Sequence, residues 1–472
     1  MNYLSKIKND FNIMEDLIIK EIKINNNVLS IISIETITTS TSINDFILRN
    51  INIKTNNIEE YLYNNLPCIS IKKVKNYQDI NNLLLNGFTI ILINNKDVLA
   101  VETILNLSRG INEPDYEKTI TGPKDSFNEH FNTNIGLIRK RIKNNNLKLE
   151  TITIGRYTNT KIGIMYQDGI YKKEIKDKII NKLKEINIDG IIDSTYLKKY
   201  LTVSKSIFPT IKETERPDVS SQALLEGKII IICDNSPNVL ILPSFFIDFF
   251  HPSDDYYQKH INVTFIRIIR LIAFIIAIIL PSYYIAITTY NPNFIPINLL
   301  INFIAQRSSV PFPSFIEAFI MIITFEILRE SDSRIPKGSG TAISILGGLV
   351  LGEAAVSAGI ISPIMIIVVS ISAISGLVFQ SIEIINAIRY YRFILIILSS
   401  FLGLYGIFLG IILIIINLSN TDSFNIDYLY PFAPININEQ KDGFIKTNPK
   451  ILHRNPIISN NKIRGIRWKN IF

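Results

Sequence analysis

Cysteine, histidine and tryptophan are scarce in this chain: two, four and one among 472 residues. Cys68 and Cys233 stand far apart in apolar contexts, "LPCIS" and "IIICDN". That excludes a disulfide framework or a cysteine-based zinc site and leaves buried free thiols as the expectation. His130, His251, His260 and His453 are scattered without metal-ligand spacing. The chain also lacks a P-loop, a dinucleotide glycine fingerprint, an H-E-x-x-H motif and a serine-nucleophile elbow. No catalytic residue, cofactor or metal is therefore assigned, and the chain is read as a non-enzyme. The start, "MNYLSKIKNDFNIMEDL", has no apolar core of the kind a signal peptide needs, so the region after it is expected to stay in the cytoplasm.

What is present is an uneven distribution of charge and apolar residues. The formal net charge is +8, from 49 Lys and Arg against 41 Asp and Glu. A polar first half is followed by long apolar runs over 271–418 and then by a basic tail carrying "NKIRGIRWK". Basic residues beside apolar spans point to a cytoplasmic face near anionic lipid, not to nucleic acid. In the polar half, residues 87–103 and 227–244 read as β-hairpins around "NNKD" and "DNSPN". Residues 147–169 give two more strands. Residues 128–143 and 172–186 are helical, the first with Arg139, Lys140 and Arg141 turned away from its apolar face. The expected fold is an α/β cytoplasmic N-terminal region of two subdomains, followed by an α-helical polytopic membrane domain. The boundaries expected are a variable, partly mobile 1–57, subdomains at 58–143 and 147–257, a transmembrane domain at 263–418 and a basic cytoplasmic tail at 419–472. "DFFHPSDDYY" is read as a membrane-proximal elbow with Asp254 and Asp255 solvated or capping a helix.

A membrane span needs about 20 apolar residues. The run from 265 meets this, with Arg267 and Arg270 at its entry, and 393–418 is the last span. Between them, 295–315 is broken by Gln306, Arg307 and prolines and reads as interfacial, 314–328 is helical, and 340–377 divides near "GIISP". Both ends being cytoplasmic requires an even number of crossings, so one short run is taken as re-entrant, with about four full crossings.

Polar residues inside these runs are the candidate site. A carboxylate at the centre of a lipid-facing helix costs about 2.5 kcal/mol or more. Glu317 is placed to cap a helix or to pair with Arg307, and Glu326 to pair locally with Arg329. Glu353 has no basic neighbour within a turn. "GTAISILGGLVLGEAAVSAGIISP", residues 340–363, carries five glycines, three serines and one glutamate. The pairs Gly348/Gly352, Ala355/Gly359 and Gly406/Gly410 have the small-xxx-small spacing that lets helices approach closely. Intrachain packing suits Gly406 and Gly410. Glu353, Ser357, Ser362 and Glu317 are the candidate pore or gating residues.

"TNIGLIRKRIK", "SIFPTIKETERPDVSSQALLEGKIIIICDNSPNVLILPSFF", "QRSSVPFPSFIEAFIMIITFEILRES", the 340–363 stretch and "YLYPFAP", in unbroken order, resemble the A subunits of GerA-type spore germinant receptors. The resemblance runs from about residue 87 to 434. It implies a multi-pass protein of the spore inner membrane, with its N-terminal domain facing the core. It implies two partners, a transporter-like B subunit that binds the nutrient and a lipoprotein C subunit. It further implies a homo-oligomeric ring, a pentamer, whose helices form a nutrient-gated ion channel releasing monovalent cations. Departures from the family pattern are Ile322 after Met321, Thr341 where the family often has Gln, and Glu353 where it also often has Gln. A SpoVAF-like spore membrane subunit shares these motifs. A secondary transporter and a membrane-tethered enzyme are the other readings, weakened by the lack of matching repeats and of catalytic motifs.

Overall fold

The computed structural model describes residues 3–24, 27–51, 58–68, 70–105, 121–202, 206–332 and 350–433, with isolated positions at 114, 117, 119, 443, 445–446 and 458–459. The first α/β unit contains α1 (Tyr3–Asp10), β1 (Leu17–Ile24), β2 (Asn27–Ile34), α2 (Ile58–Asn65), β3 (Ile71–Lys73), α3 (Tyr77–Leu85), β4 (Phe88–Ile93) and β5 (Asp97–Glu102). Its antiparallel sheet has the order β1-β2-β4-β5-β3. The central strand β4, "FTIILI", is apolar on both faces because both are covered. Ile90 and Leu92 enter one core and Ile91 and Ile93 the other, as a side-chain period of two requires. Asn94 and Asn95 turn the β4–β5 hairpin in left-handed backbone, which asparagine tolerates.

The second unit follows the same plan with α4 (Phe131–Arg141), β6 (Leu147–Ile154), β7 (Thr160–Gln167), α5 (Lys173–Glu185), α6 (Ser194–Leu201), β8 (Lys212–Thr214), α7 (Pro217–Glu226), β9 (Ile229–Cys233) and β10 (Val239–Leu242). Its order, β6-β7-β9-β10-β8, repeats that of the first sheet strand for strand. The α/β reading and both hairpins are found, and the sheets are antiparallel throughout.

Three boundaries move. Residues before 58 are not a region apart from the first unit, since β1 and β2 form one side of its sheet. The second unit begins ahead of 144, because Phe127, Phe131, Ile135 and Ile138 lie in its core with Leu147 and Leu149. Arg139 is correspondingly buried. It reaches both carboxylate oxygens of Asp16 at 2.6 Å and ties the two units together. The tail, too, starts as core: Phe424, Tyr428 and Tyr430 are buried, the first two packing against the second unit and the helical base.

The helical part comprises α8 (His260–Thr289), α9 (Ile297–Arg307), α10 (Ser314–Asp332), a helical stretch at 350–357, α11 (Pro363–Gly376), α12 (Ile382–Leu402) and α13 (Leu404–Ser419). Among the described residues, α8 and α12 are long and apolar enough to cross a membrane, while α11 and α13 are apolar but shorter. The apolar run 393–418 is therefore not one helix. Gly403, at φ +60°, ends α12 and reverses the chain into α13. Gly406 and Gly410 then allow a close return. An added Cβ would stand 2.1 Å from the Leu398 carbonyl oxygen at Gly406 and 2.1 Å from Leu395 Cδ2 at Gly410.

Gly406→Ala should therefore destabilise the helical part by about 1–3 kcal/mol, the usual range for overpacking a close contact. Gly352→Ala should not, since an added Cβ there meets only Ile366 Cδ1 at 3.9 Å. Thermal unfolding of the two purified variants in detergent checks the difference.

Candidate functional site

The polar groups that stand out lie where the second α/β unit meets the helices, and inside the helical part itself. Between β10 and α8 the chain makes two short turns, Phe246–Phe250 and Ser253–Tyr256. Asp255, on the second turn, is buried and not solvated. Arg267 Nε donates to its Oδ2 at 2.9 Å, and Arg270 reaches both oxygens at 2.9 Å. Arg267 and Arg270 are three residues apart, so both point back from one face of α8. Arg270 also donates to the Phe250 carbonyl at 3.2 Å and Arg267 to that of Gly443 at 2.6 Å. Lys446 Nζ donates to the Asp255 carbonyl oxygen. One aspartate, through its carboxylate and its main-chain carbonyl, thus gathers a turn, the first long helix and a piece of the tail.

Beside it lies a cavity of about 320 Å³ between β8, the turns and the α11–α12 connection, lined among others by Lys212, His251, Glu117 and Phe379. Lys212 Nζ donates to the carbonyls of Asp248 and His251 at 3.0 and 3.2 Å. Burial lowers its pKa, and burial raises that of Glu117, which accepts from Thr214 Oγ1 at 2.5 Å. His251 Nε2 donates to the Gly443 carbonyl at 3.0 Å. Burial first, then Arg267 and Lys212, hold its imidazole neutral well below the usual range. Lys198 of α6 bridges Glu213 at 3.0 Å and Glu383 in the first turn of α12, so the α/β unit also grips a second long helix.

Within the helices, Glu317 is fully buried in the first turn of α10. It accepts from the Ser362 backbone N–H at 2.9 Å and from Ser362 Oγ at 2.8 Å, while Arg307 Nε stands 3.5 Å from its other oxygen. Two of the four candidate gating residues, Glu317 and Ser362, are thus brought together, joining α9, α10 and the helix break before Pro363. Glu353 and Ser357 are not part of this cluster. They sit one helical turn apart on exposed positions of 350–357. Gly348 lies outside the described residues. Ala355 packs against the core of α8, α10 and α11, and Gly359, at φ +65°, terminates its helix beside Ser309, a turn role and not a packing seam. Glu326 pairs across helices, with Arg389 at 2.7 Å and Arg392 at 2.6 Å of α12, and not locally with Arg329. The Asp255 network escaped the sequence reading. Its signal was Arg267 and Arg270, spaced for one face and following an acidic turn.

The neutral His251 gives the junction a pH dependence. Its folded pKa lies below the unfolded value of about 6.5, so as pH falls through that value only the unfolded state takes up the proton and stability declines. Stability against pH, measured between neutrality and mild acid, should show this fall, and His251→Gln should remove that part of it.

Comparison with known proteins places these features. Residues 5–458 match the family model described as Bacillus/Clostridium GerA spore germination protein. Spore germination protein KA of Bacillus subtilis (strain 168) is 37% identical over 453 residues, 94% of this chain and 83% of that protein. Spore germination protein GerQA of Bacillus cereus is 35% identical over 453 residues, 95% of this chain and 91% of that protein. A Bacillus subtilis (strain 168) protein named as uncharacterized membrane protein YfkQ is 34% identical over 451 residues, 93% of this chain and 87% of that protein. Among solved structures, the N-terminal domain of the A subunit of the Bacillus megaterium spore germinant receptor GerK3 aligns at 30% identity with a TM-score of 0.39, over 52% of this chain and 94% of that one. With a family match over nearly its whole length, the chain belongs to the GerA family of spore germination proteins.

Proposed function

We propose that this chain is the A subunit of a nutrient germinant receptor in the spore inner membrane, and that copies of it assemble into a ring whose helices enclose a cation path. The observation that carries the reading is Glu353. It lies on an exposed position of an apolar helical region, one turn from Ser357, and no described side chain hydrogen-bonds or pairs with it. A carboxylate facing lipid is expensive, whereas one facing water in a pore, or another subunit, is not. Gly352 on the same stretch is loosely packed among the described residues, an added Cβ meeting only Ile366 Cδ1 at 3.9 Å, which leaves room for a neighbouring helix.

The membrane reading is supported by α8 and α12, and by α9, whose 11 residues reach only about 16 Å, near half of a bilayer core. That length suits an interfacial or re-entrant element. A cytoplasmic location for both ends is supported by tail positions Gly443 and Ser459, which meet His251 and Tyr171 of the second α/β unit. In this reading a B subunit of transporter type and a lipoprotein C subunit complete the receptor. Nutrient capture is passed to the helices across the junction at Asp255 and Lys198.

Glu353→Gln should leave assembly intact and lower cation preference. A ring of carboxylates concentrates cations at a constriction. Reversal potentials of reconstituted channels in bi-ionic gradients check this. Unchanged selectivity places Glu353 away from the path.

A further inference from the structure

The arginines around Glu326 exceed what that residue can neutralise. Arg389 and Arg392 both bind its carboxylate, and Arg329, three residues along α10, lies in electrostatic range of Glu326 and Arg389. Two guanidinium groups therefore bind one carboxylate and a third stands near them among the described residues. Arg392 is almost completely buried, yet its Nε–H finds no hydrogen-bond partner among the described residues. Arg389 is about a third exposed and opens the cluster to the outside. The surface around it is that of a lipid-facing helix: Ile327, Ile382 and Tyr390 are exposed, and an exposed tyrosine beside arginine is the composition of a headgroup layer. Depth agrees. Arg389 lies six residues beyond Glu383, which the α/β unit grips through Lys198, hence about 9 Å along the helix from that face.

We propose that Arg329, Arg389 and Arg392 form a binding site for the phosphate of an anionic phospholipid at the cytoplasmic leaflet. Guanidinium forks match phosphate oxygens in pairs, and basic pockets between helices on this side of a membrane are suited to anionic headgroups. The lipid supplies an anion that the described residues lack, and seats the α10–α12 contact at a fixed depth. The inference rests on the membrane reading above.

The test reconstitutes the full chain in bilayers and measures the association of spin-labelled phosphatidylglycerol relative to phosphatidylcholine. Wild-type protein should prefer phosphatidylglycerol. Arg389→Gln should lower that preference about fivefold, the factor one basic group near an anionic surface contributes. Glu326→Gln breaks the same ion pairs but leaves the cationic charge, so it should keep or raise the preference. Equal preference for the two lipids in wild type, no change in Arg389→Gln, or an equal fall in both variants overturns the proposal. Loss of the preference on adding inorganic phosphate at constant ionic strength assigns the site to a free anion and overturns the lipid assignment. Failure of the membrane reading appears separately, as protein that does not remain in the bilayer after alkaline extraction.

Discussion

A buried carboxylate that has lost its water must be surrounded by donors, and Asp255 is the place where this requirement shapes the molecule. Its two oxygens are filled by Arg267 and Arg270, and its backbone carbonyl by Lys446. Arg267 and Arg270 also donate to the carbonyls of Gly443 and Phe250, so the same cations tie the tail and the first turn to the helix. Removing one member of such a set leaves an uncompensated buried charge, at a cost of about 3–5 kcal/mol. The geometry of the turn, the orientation of α8 and the path of the tail near Gly443 follow from it. A soluble domain and an apolar helix joined only by a loop would move independently. Joined by this network and by Lys198 to Glu383, they move as one body or break a buried ion pair.

The helical part obeys the same rule on a smaller scale. Glu317 is filled by Ser362 and faced by Arg307, at the point where the 350–357 stretch gives way to α11. Glu326 is filled by two arginines of α12. In each case the carboxylate joins helices that apolar packing alone would leave free to slide. Glu353, on an exposed position and without a partner among the described residues, lies outside this rule, and the proposed ion path is placed beside it.

Much of the fold was legible because its signals were local. The strands "FTIILI" and "IIIIC" are β-branched runs ended by Asn-containing turns, and α5 is amphipathic over its whole length. Long-range pairing was not legible. Nothing near Asp16 in the chain announces Arg139, and no motif reveals that two units of different sequence share one strand order. The run 393–418 misled because composition alone does not distinguish one long span from a helical hairpin. Only the backbone at Gly403, together with the clearance that Gly406 and Gly410 leave for α12, separates the two. Of the candidate site, the approach of Glu317 to Arg307 was one of two readings that its position after the broken run allowed. The Ser362 cap and the partners of Glu326 were not legible, because they come from segments 45 and more than 60 residues away.

The account stands on the junction behaving as one charge network, and a double-mutant cycle on Asp255 and Arg270 measures that directly. Unfolding free energies are needed for the full chain in bilayer discs, carrying Asp255→Asn, Arg270→Gln and both together. The account predicts large losses for each single variant and a coupling energy of about 2 kcal/mol or more between them, the double variant being little worse than either alone. Losses that add within about 0.5 kcal/mol would contradict it, since the two residues would then act independently and the soluble unit would hang from the helices by a flexible joint.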